Sequence, residues 1–194
     1  MEWADHKNRC RWANPKNEIY IRYHDEEWGV PVHEDRKLFE MLLLESFQAG
    51  LTWECVLNKR EAFRSAFDQF DPEKISAYGV EKMEELASNA AIIRNRRKIQ
   101  AVIRNAQIFL DIQREWGSFS AYLWHWTDGK TLREIGPTHS PLSDQISKDL
   151  YRRGMRFVGT TIIYAYLQAV GVIWAHEENC DWKESPAKKC QEVI

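Results

Sequence analysis

The sequence lacks most of the short motifs by which an enzyme declares its chemistry. It has no G-x-x-x-x-G-K-[ST], no G-x-G-x-x-G after a strand, no H-E-x-x-H and no G-x-S-x-G. Nucleotide hydrolysis on a phosphate loop, dinucleotide redox chemistry, zincin proteolysis and serine hydrolysis therefore have no support. The zinc deaminase signature is also incomplete, because there is no P-C-x-x-C. Bulk charge is missing too: 27 basic residues face 29 acidic ones, for a net charge of −2. That excludes a protein that coats nucleic acid by net charge and leaves room for a local basic face. The four cysteines, Cys10, Cys55, Cys180 and Cys190, are too few and too scattered for a disulfide scaffold. No run alternates at period two for more than a few residues, and no repeat or low-complexity segment is visible. The opening MEWADHKNRCRW has no apolar core, so no signal peptide is expected. Residues 157–175 carry no charge over 19 positions, but Thr160, Thr161, Gln168 and two glycines make a poor membrane span. A buried helix and a cytoplasmic protein without a membrane partner are the expectation.

What is present reads as helix. A chain of 194 residues with 44% hydrophobic content can bury a core of its own, as one domain or as two lobes sharing a core. Residues 1–34 are irregular and dense in aromatics: Trp3, Trp12, Tyr20, Tyr23 and Trp28. Asp35 can cap a helix over 36–49, and a second helix is predicted over 52–67. Asp71-Pro72 places Asp at the N-cap and Pro at the first position of the next helix. Helices follow over 80–88, 96–115 and 142–153, the last ended by Gly154, with Gly171 a break in the uncharged one. The predicted fold is all-α, many short helices around one long buried one.

That buried helix is LFEMLLLESFQAGLTW, residues 38–53. Leu38, Met41, Leu42, Glu45 and Ala49 share a stripe at helical period, and Phe39, Leu43, Leu44 and Phe47 cover the other sides. Glu45 thus sits where an ionised carboxylate is very unfavourable unless paired, protonated or kept for a ligand. Gln48 lies beside it, Gly50 ends the helix and Trp53 follows. A carboxylate, an amide and an indole converging there suit a pocket for a flat, polar, cationic ligand. A buried ion pair with a distant arginine accounts for Glu45 equally well.

Two other sets carry chemistry. Cys10 and His24 are separated by 13 intervening residues near one end, and His176 and Cys180 form an H-x3-C, one helical turn, near the other. Two Cys and two His complete a tetrahedral zinc site with no open position, hence a structural one. Taken singly, such residues are ordinary solvated histidines and core cysteines; Cys55 reads as core and Cys190 as exposed. The run NAAIIRNRRK, residues 89–98, reads as a hairpin between helices presenting amides and Arg94, Arg96 and Arg97 to a phosphate. A solvated basic helix start is its plainer reading. A further basic cluster, Arg152, Arg153 and Arg156, flanks the uncharged helix and adds support for a DNA-facing side.

The segments CRW at 10–12, YIRYHDEEWGVP at 20–31, LFEMLLLESFQAGLTW at 38–53, IIRNRRKI at 92–99 and RGMRFVGTTIIYAYLQAVG at 153–171, closing with His176 and Cys180, occur in one order along nearly the whole chain. In this the chain resembles the type I 3-methyladenine DNA glycosylases of bacteria, a branch of the helix-hairpin-helix glycosylase superfamily. The resemblance implies a single glycosylase domain over 1–194, its terminal segments 1–34 and 172–194 tied by zinc on Cys10, His24, His176 and Cys180 and packed on the core 35–171. It implies that Glu45 hydrogen-bonds the excised base, that Trp53 stacks on it, and that Tyr20, Tyr23, Trp12 and Gln48 line the same pocket. Gly50 and Leu51 match the loop that enters the duplex, and Ala91, Arg94, Arg96 and Arg97 the phosphate-binding hairpin, with alanine at 91 where the superfamily usually carries glycine. The implied protein is a monomeric, monofunctional hydrolase that frees 3-methyladenine from alkylated double-stranded DNA without cleaving the strand. Methylation at N3 makes adenine cationic and its glycosidic bond weak, so no strong general acid is required. A non-catalytic DNA-lesion or nucleobase-binding protein is the alternative, and a zinc-stapled protein-interaction module a third.

Overall fold

The structure, a computed structural model, describes residues 5–184; Trp3 and Cys190 lie outside the described residues. Ten α-helices occur among them. Helix α1 (Glu18–Glu26) starts where the Asn17 side chain accepts from the amides of Ile19 and Tyr20. Helix α2 (Asp35–Gln48) is buried without interruption from Leu38 to Phe47, as its all-round apolar sequence requires. Around it pack α3 (Trp53–Leu57), α7 (Arg96–Trp116), α8 (Phe119–His125) and α10 (Thr160–Ala169). Helices α4 (Arg60–Ala66), α5 (Pro72–Ser76) and α6 (Val80–Ser88) lead from α3 to α7, and α9 (Pro141–Arg153) packs on α10. The all-helical expectation holds apart from one short parallel ladder, β1 (Leu132–Arg133) beside β2 (Ile173–Trp174). No helix among the described residues is long and apolar enough to cross a membrane.

Several boundaries are as the capping chemistry predicts. The Asp71 carboxylate accepts from the amides of Glu73 and Lys74, Gly154 ends α9 in the left-handed region, and Gly50 follows α2 with φ +79°. Others differ. The helix expected over 52–67 is divided between Leu57 and Arg60, and α4 then carries Arg60 to the buried Glu40. The uncharged helix is shorter than its sequence: it starts at Thr160 and ends at Ala169. Asp35 does not cap its own helix, whose N-cap is Glu34 without a side-chain bond. Its carboxylate instead accepts from the amides of Phe119 (2.7 Å) and Ser120 (2.8 Å) and from Gln113 (2.6 Å), so it caps α8. Cys55, expected in the core, is half-buried.

Lys98 has a part that periodicity could not show. It is buried, and its Nζ donates to the carbonyls of Phe47 (2.7 Å) and Ala49 (2.6 Å). A lysine on α7 thereby satisfies the orphaned carbonyls at the C-terminus of α2 and complements the negative end of that helix. At the far end, the N- and C-terminal segments meet: Asp181 and Asn8 exchange backbone and side-chain bonds, and the amides of Gly29 and Val32 donate to the carbonyls of Gln168 and Val170.

Gly171 (φ +75°) is where these segments touch. A Cβ there would lie 2.4 Å from the Pro31 nitrogen and 2.6 Å from the Gly29 oxygen, all backbone. At Gly50, also left-handed, a Cβ would meet nothing within 4 Å. Gly50→Ala should therefore lose about 1–2 kcal/mol of stability from the left-handed backbone alone. Gly171→Ala adds overpacking of about 1–3 kcal/mol, because backbone cannot rotate away. Urea titration of both variants checks this; equal midpoints would mean that the 29–32 segment yields freely.

Candidate functional site

Where α2 stops, its last turn faces a cavity of about 370 Å³. Trp12, Tyr20, Tyr23, Glu45, Gln48 and Trp53, the six pocket residues expected from the sequence, all line it. Trp28, Gln168 and Glu177 line it too. The aromatics support one another: Trp12 lies 5.2 Å from Tyr20 and 4.8 Å from Trp28 between ring centroids, and Tyr23 lies 5.4 Å from Trp53. Trp28 is one tryptophan among nine and had no spacing to single it out. Gln168 had a signal, a long amide in an otherwise apolar helix.

Glu45 is 2% exposed. Its Oε2 is buried without a hydrogen-bond partner, and no ion pair reaches it among the described residues. This separates it from Glu40, 3% exposed on the same helix. Glu40 receives Arg60 Nε at 2.7 Å, Arg64 at 2.8 Å and Lys37 at 3.5 Å. The ion-pair reading open for Glu45 is thus realised five residues earlier, at a glutamate the sequence did not mark. Burial, with no cation to offset it, pushes the Glu45 carboxyl up to about 8. Burial together with the neighbouring carboxyls holds Tyr20 near 12 and Tyr23 well above its ordinary value. Trp53 Nε1 is likewise buried and unpartnered. A neutral acid and an indole N–H without partners, walled by aromatic faces, are hydrogen-bonding groups left for a ligand.

Behind the aromatic wall, Cys10, His24, His176 and Cys180 come together, all buried, with their ligand atoms within 4.8 Å of one another. Cys10 Sγ lies 3.6 Å from His176 Nδ1, Cys180 Sγ 3.4 Å from the same nitrogen, and Cys180 Sγ 3.5 Å from His24 Nε2. Tetrahedral zinc with bonds of about 2.3 Å to sulfur and about 2.0–2.1 Å to nitrogen has S···N edges of about 3.5–3.6 Å. The four residues thus fit such an ion. The outer nitrogens fit as well: His24 Nδ1 donates to Asp25 at 2.8 Å and His176 Nε2 to the Trp28 carbonyl at 3.2 Å, which turns the inner lone pairs toward a metal. Trp12 packs on His24 and Trp28 on His176, at 5.2 and 4.6 Å. The cluster therefore also holds two walls of the cavity.

The remaining expected residues sit at the edge. Gly50 and Leu51 follow α2, with Leu51 42% exposed. The hairpin joins α6 to α7. Ala91 is not among the positive-φ residues, so alanine is unstrained there; its N–H donates to Asn89 Oδ1 and its carbonyl accepts from Lys59 Nζ. Arg94 and Arg97 are exposed. Arg96 differs from expectation: its guanidinium forks onto the Glu84 carboxylate of α6.

A mostly helical scaffold that keeps an unpaired acid buried beside tilted and edge-on aromatic rings is suited to a flat heteroaromatic ring. The chain belongs to the methyladenine glycosylase family, whose model matches residues 12–184. It is 46% identical over 179 residues to DNA-3-methyladenine glycosylase 1 of Escherichia coli (strain K12), across 89% of this chain and 95% of that protein. A crystal structure of a 3-methyladenine DNA glycosylase I is similar with a TM-score of 0.86 and 45% identity, covering 90% of this chain and 98% of that one. A Staphylococcus aureus 3-methyladenine DNA glycosylase I, solved for the structural basis of 3-methyladenine recognition, gives 0.87 at 34% identity over 92% and 97%.

The raised carboxyl makes a pH prediction. Between its ordinary value of 4.5 and about 8, the folded chain binds a proton at Glu45 that the unfolded chain has released. Stability should therefore fall as pH rises through this window, by up to about 1.4 kcal/mol per pH unit from this group. Glu45→Gln removes the proton exchange, so its gain over wild type should grow from pH 5 to pH 8. Denaturant titrations across that range decide it, and a pH-independent difference would place the Glu45 carboxyl near its ordinary value.

Proposed function

We propose that the chain hydrolyses the N-glycosidic bond of 3-methyladenine in alkylated double-stranded DNA. The observation that carries this reading is Glu45, an acid held dry and unpartnered in an aromatic cavity. An extruded 3-methyladenine is cationic. Its entry supplies the charge that Glu45 lacks and draws the carboxyl back to its ionised form. The carboxylate then accepts a charge-assisted hydrogen bond from the base, while Trp53 and the tyrosines offer π-faces that favour an electron-poor ring. Unmodified adenine carries no charge and leaves Glu45 uncompensated. When the bond from C1′ to N9 breaks, its electron pair neutralises the ring. Water adds at C1′ and gives up a proton. The leaving group is already activated, so the pocket binds and orients more than it protonates. Lys98, at the end of α2, has its amine engaged by two carbonyls, in keeping with hydrolysis without strand cleavage.

In this reading the chain acts as one monomeric domain of helix-hairpin-helix type. The Gly50-Leu51 turn enters the duplex beside the extruded nucleotide, and the hairpin at Ala91, with Arg94 and Arg97, meets the phosphates. Arg96 contributes less, being neutralised by Glu84.

Cys10, His24, His176 and Cys180 hold one structural zinc ion. All four positions belong to protein, so the ion supplies rigidity rather than chemistry. Protein purified without chelator should contain one zinc per chain. Cys180→Ala should lose it, melt lower, and bind free 3-methyladenine more weakly although Cys180 does not line the cavity, because Trp12 and Trp28 lose their backing. Full zinc content with unchanged melting in that variant would remove the metal from the account.

Calorimetric titration of 3-methyladenine, at a pH acidic enough to keep the free base protonated and cationic, into wild type and Glu45→Gln tests the reading at its centre. A hydrogen bond to a charged group is worth about 1.5–3 kcal/mol, so affinity should fall at least about tenfold at ~1.4 kcal/mol per decade. Excision of 3-methyladenine from alkylated DNA, followed by chromatography, should fall in step. Equal affinity in both proteins would overturn the electrostatic role, and base binding without release would leave a non-catalytic lesion binder.

A further inference from the structure

The cavity at the end of α2 holds two acids. Glu45 and Glu177 both line it, and no lysine, arginine or histidine among the described residues does. Their surroundings are opposite. Glu45 is buried, and burial alone raises its carboxyl, so Glu177 does not press on it and the two acids hold separate places. The Glu177 side chain, beyond β2, is 34% exposed. Water already solvates it, so its charge needs no ligand to sustain it, whereas a charge on Glu45 does. Exposure sets Glu177 on the solvent side of the cavity and Glu45 at its dry end.

Glu177 is held in place. Its N–H donates to Cys10 Sγ at 3.4 Å, and its carbonyl accepts from the Cys180 amide at 2.9 Å. Its Oε2 accepts from the Arg11 backbone N–H at 3.2 Å. Its Oε1 takes no hydrogen bond among the described residues, and a carboxylate oxygen has two lone pairs to offer. The one cation that reaches Glu177 among the described residues is Arg11, whose Nε lies 3.7 Å away on a side chain 91% exposed. A pair so open to water is weak and screened by salt. Glu54, the other acid felt by Tyr20, is committed elsewhere: its Oε1 accepts from Asn14 at 2.8 Å and from Asn17 at 2.7 Å. Glu177 is thus a fixed negative charge with no strong partner, at the edge of an aromatic-walled cleft. Low-dielectric walls focus the field of such a charge along the cleft.

We infer that Glu177 is a specificity-determining residue, which draws cationic bases into the cavity and gives neutral ones no such advantage, with Arg11 tempering its charge. The inference rests on a cationic base being the ligand of this cavity. Selection then has two stages. Glu177 attracts the cation at a distance, while the base is still hydrated; Glu45 accepts its hydrogen bond once the base is dry. Arg11, free to move in solvent, sets the strength of the first stage without touching the second.

The probe is 3,9-dimethyladenine, a cation at neutral pH whose N9 methyl stands for the sugar carbon and which has no glycosidic bond to lose. It is titrated calorimetrically into wild type, Glu177→Gln and Arg11→Gln. Glutamine keeps an acceptor for the Arg11 amide, and Arg11→Gln leaves that backbone contact in place. In about 0.01 M salt, Glu177→Gln should bind the cation about threefold more weakly, the attraction of unit charges roughly 6 Å apart in water. Arg11→Gln should bind it more tightly, by up to about twofold. Both differences should close in about 1 M salt, as the Debye length falls from about 30 Å to about 3 Å. Affinity for neutral 9-methyladenine should be the same in all three proteins. Wild-type affinity for the cation in Glu177→Gln at low salt would overturn the inference. So would a loss that is equal at both salts and for both ligands, which marks a packing role, and so would wild type that takes up 3-methyladenine but not the fixed cation. If Glu177→Gln does not fold, Arg11→Gln decides, and no salt-dependent gain there overturns the inference. Wild type that binds neither 3,9-dimethyladenine nor 3-methyladenine would instead remove the reading of the cavity as a base site.

Discussion

A carboxyl group kept dry without a counter-ion is the constraint on which the rest of this structure depends. Leaving the Glu45 carboxyl unsatisfied costs about 1–3 kcal/mol if it stays neutral and far more if it ionises. The helix that carries it can bear this. Leu38, Phe39, Met41, Leu42, Leu43, Leu44 and Phe47 are all buried, and each contributes about 1.5–3 kcal/mol on leaving water. Glu40, deeper in the sequence of the same helix, shows the contrary solution, with Arg60, Arg64 and Lys37 closing on it. Two buried glutamates on one helix thus have opposite fates. The difference lies in what the rest of the chain brings to each: cations to one, aromatic faces to the other.

How far this was legible in sequence follows the range of the interactions involved. Local chemistry read well. The cap at Asp71, the stop at Gly154 and the all-round burial of 38–47 depend on residues a few positions apart. The six expected pocket residues also came together, although Glu45 alone could not be told from an ion-pair residue until its surroundings were known. What escaped depends on partners far along the chain. Asp35 looked like the cap of its own helix and caps one 84 residues on. Lys98 looked like part of a basic surface and is bound to carbonyls 49 and 51 residues back. Arg96 looked free, but Glu84 neutralises it across the hairpin. For Cys10, His24, His176 and Cys180, spacing marked two local pairs, and the fold joins them.

Alanine at position 91 shows why a departure from a pattern must be weighed by conformation. Glycine matters in a hairpin when φ is positive or when another backbone comes close. Neither the dihedral nor the hydrogen bonds of Ala91 ask for it, since Asn89 and Lys59 satisfy its amide and carbonyl. Gly171 is the opposite case, where three backbone atoms leave no room for a Cβ.

The joining of the two chain ends has a consequence for synthesis. Trp12, Tyr20 and Tyr23 leave the ribosome early, while Gln168, Ala175 and Glu177 complete the same cavity from the last part of the described chain. Cys10 waits for His176, 166 residues later. A nascent or C-terminally truncated chain therefore lacks the cavity lining that α10 and the segment after it supply, and its Cys10 and His24 have no His176 and Cys180 to meet. Competence arrives in a single late step, so an unfinished chain cannot engage the ligand of the finished one.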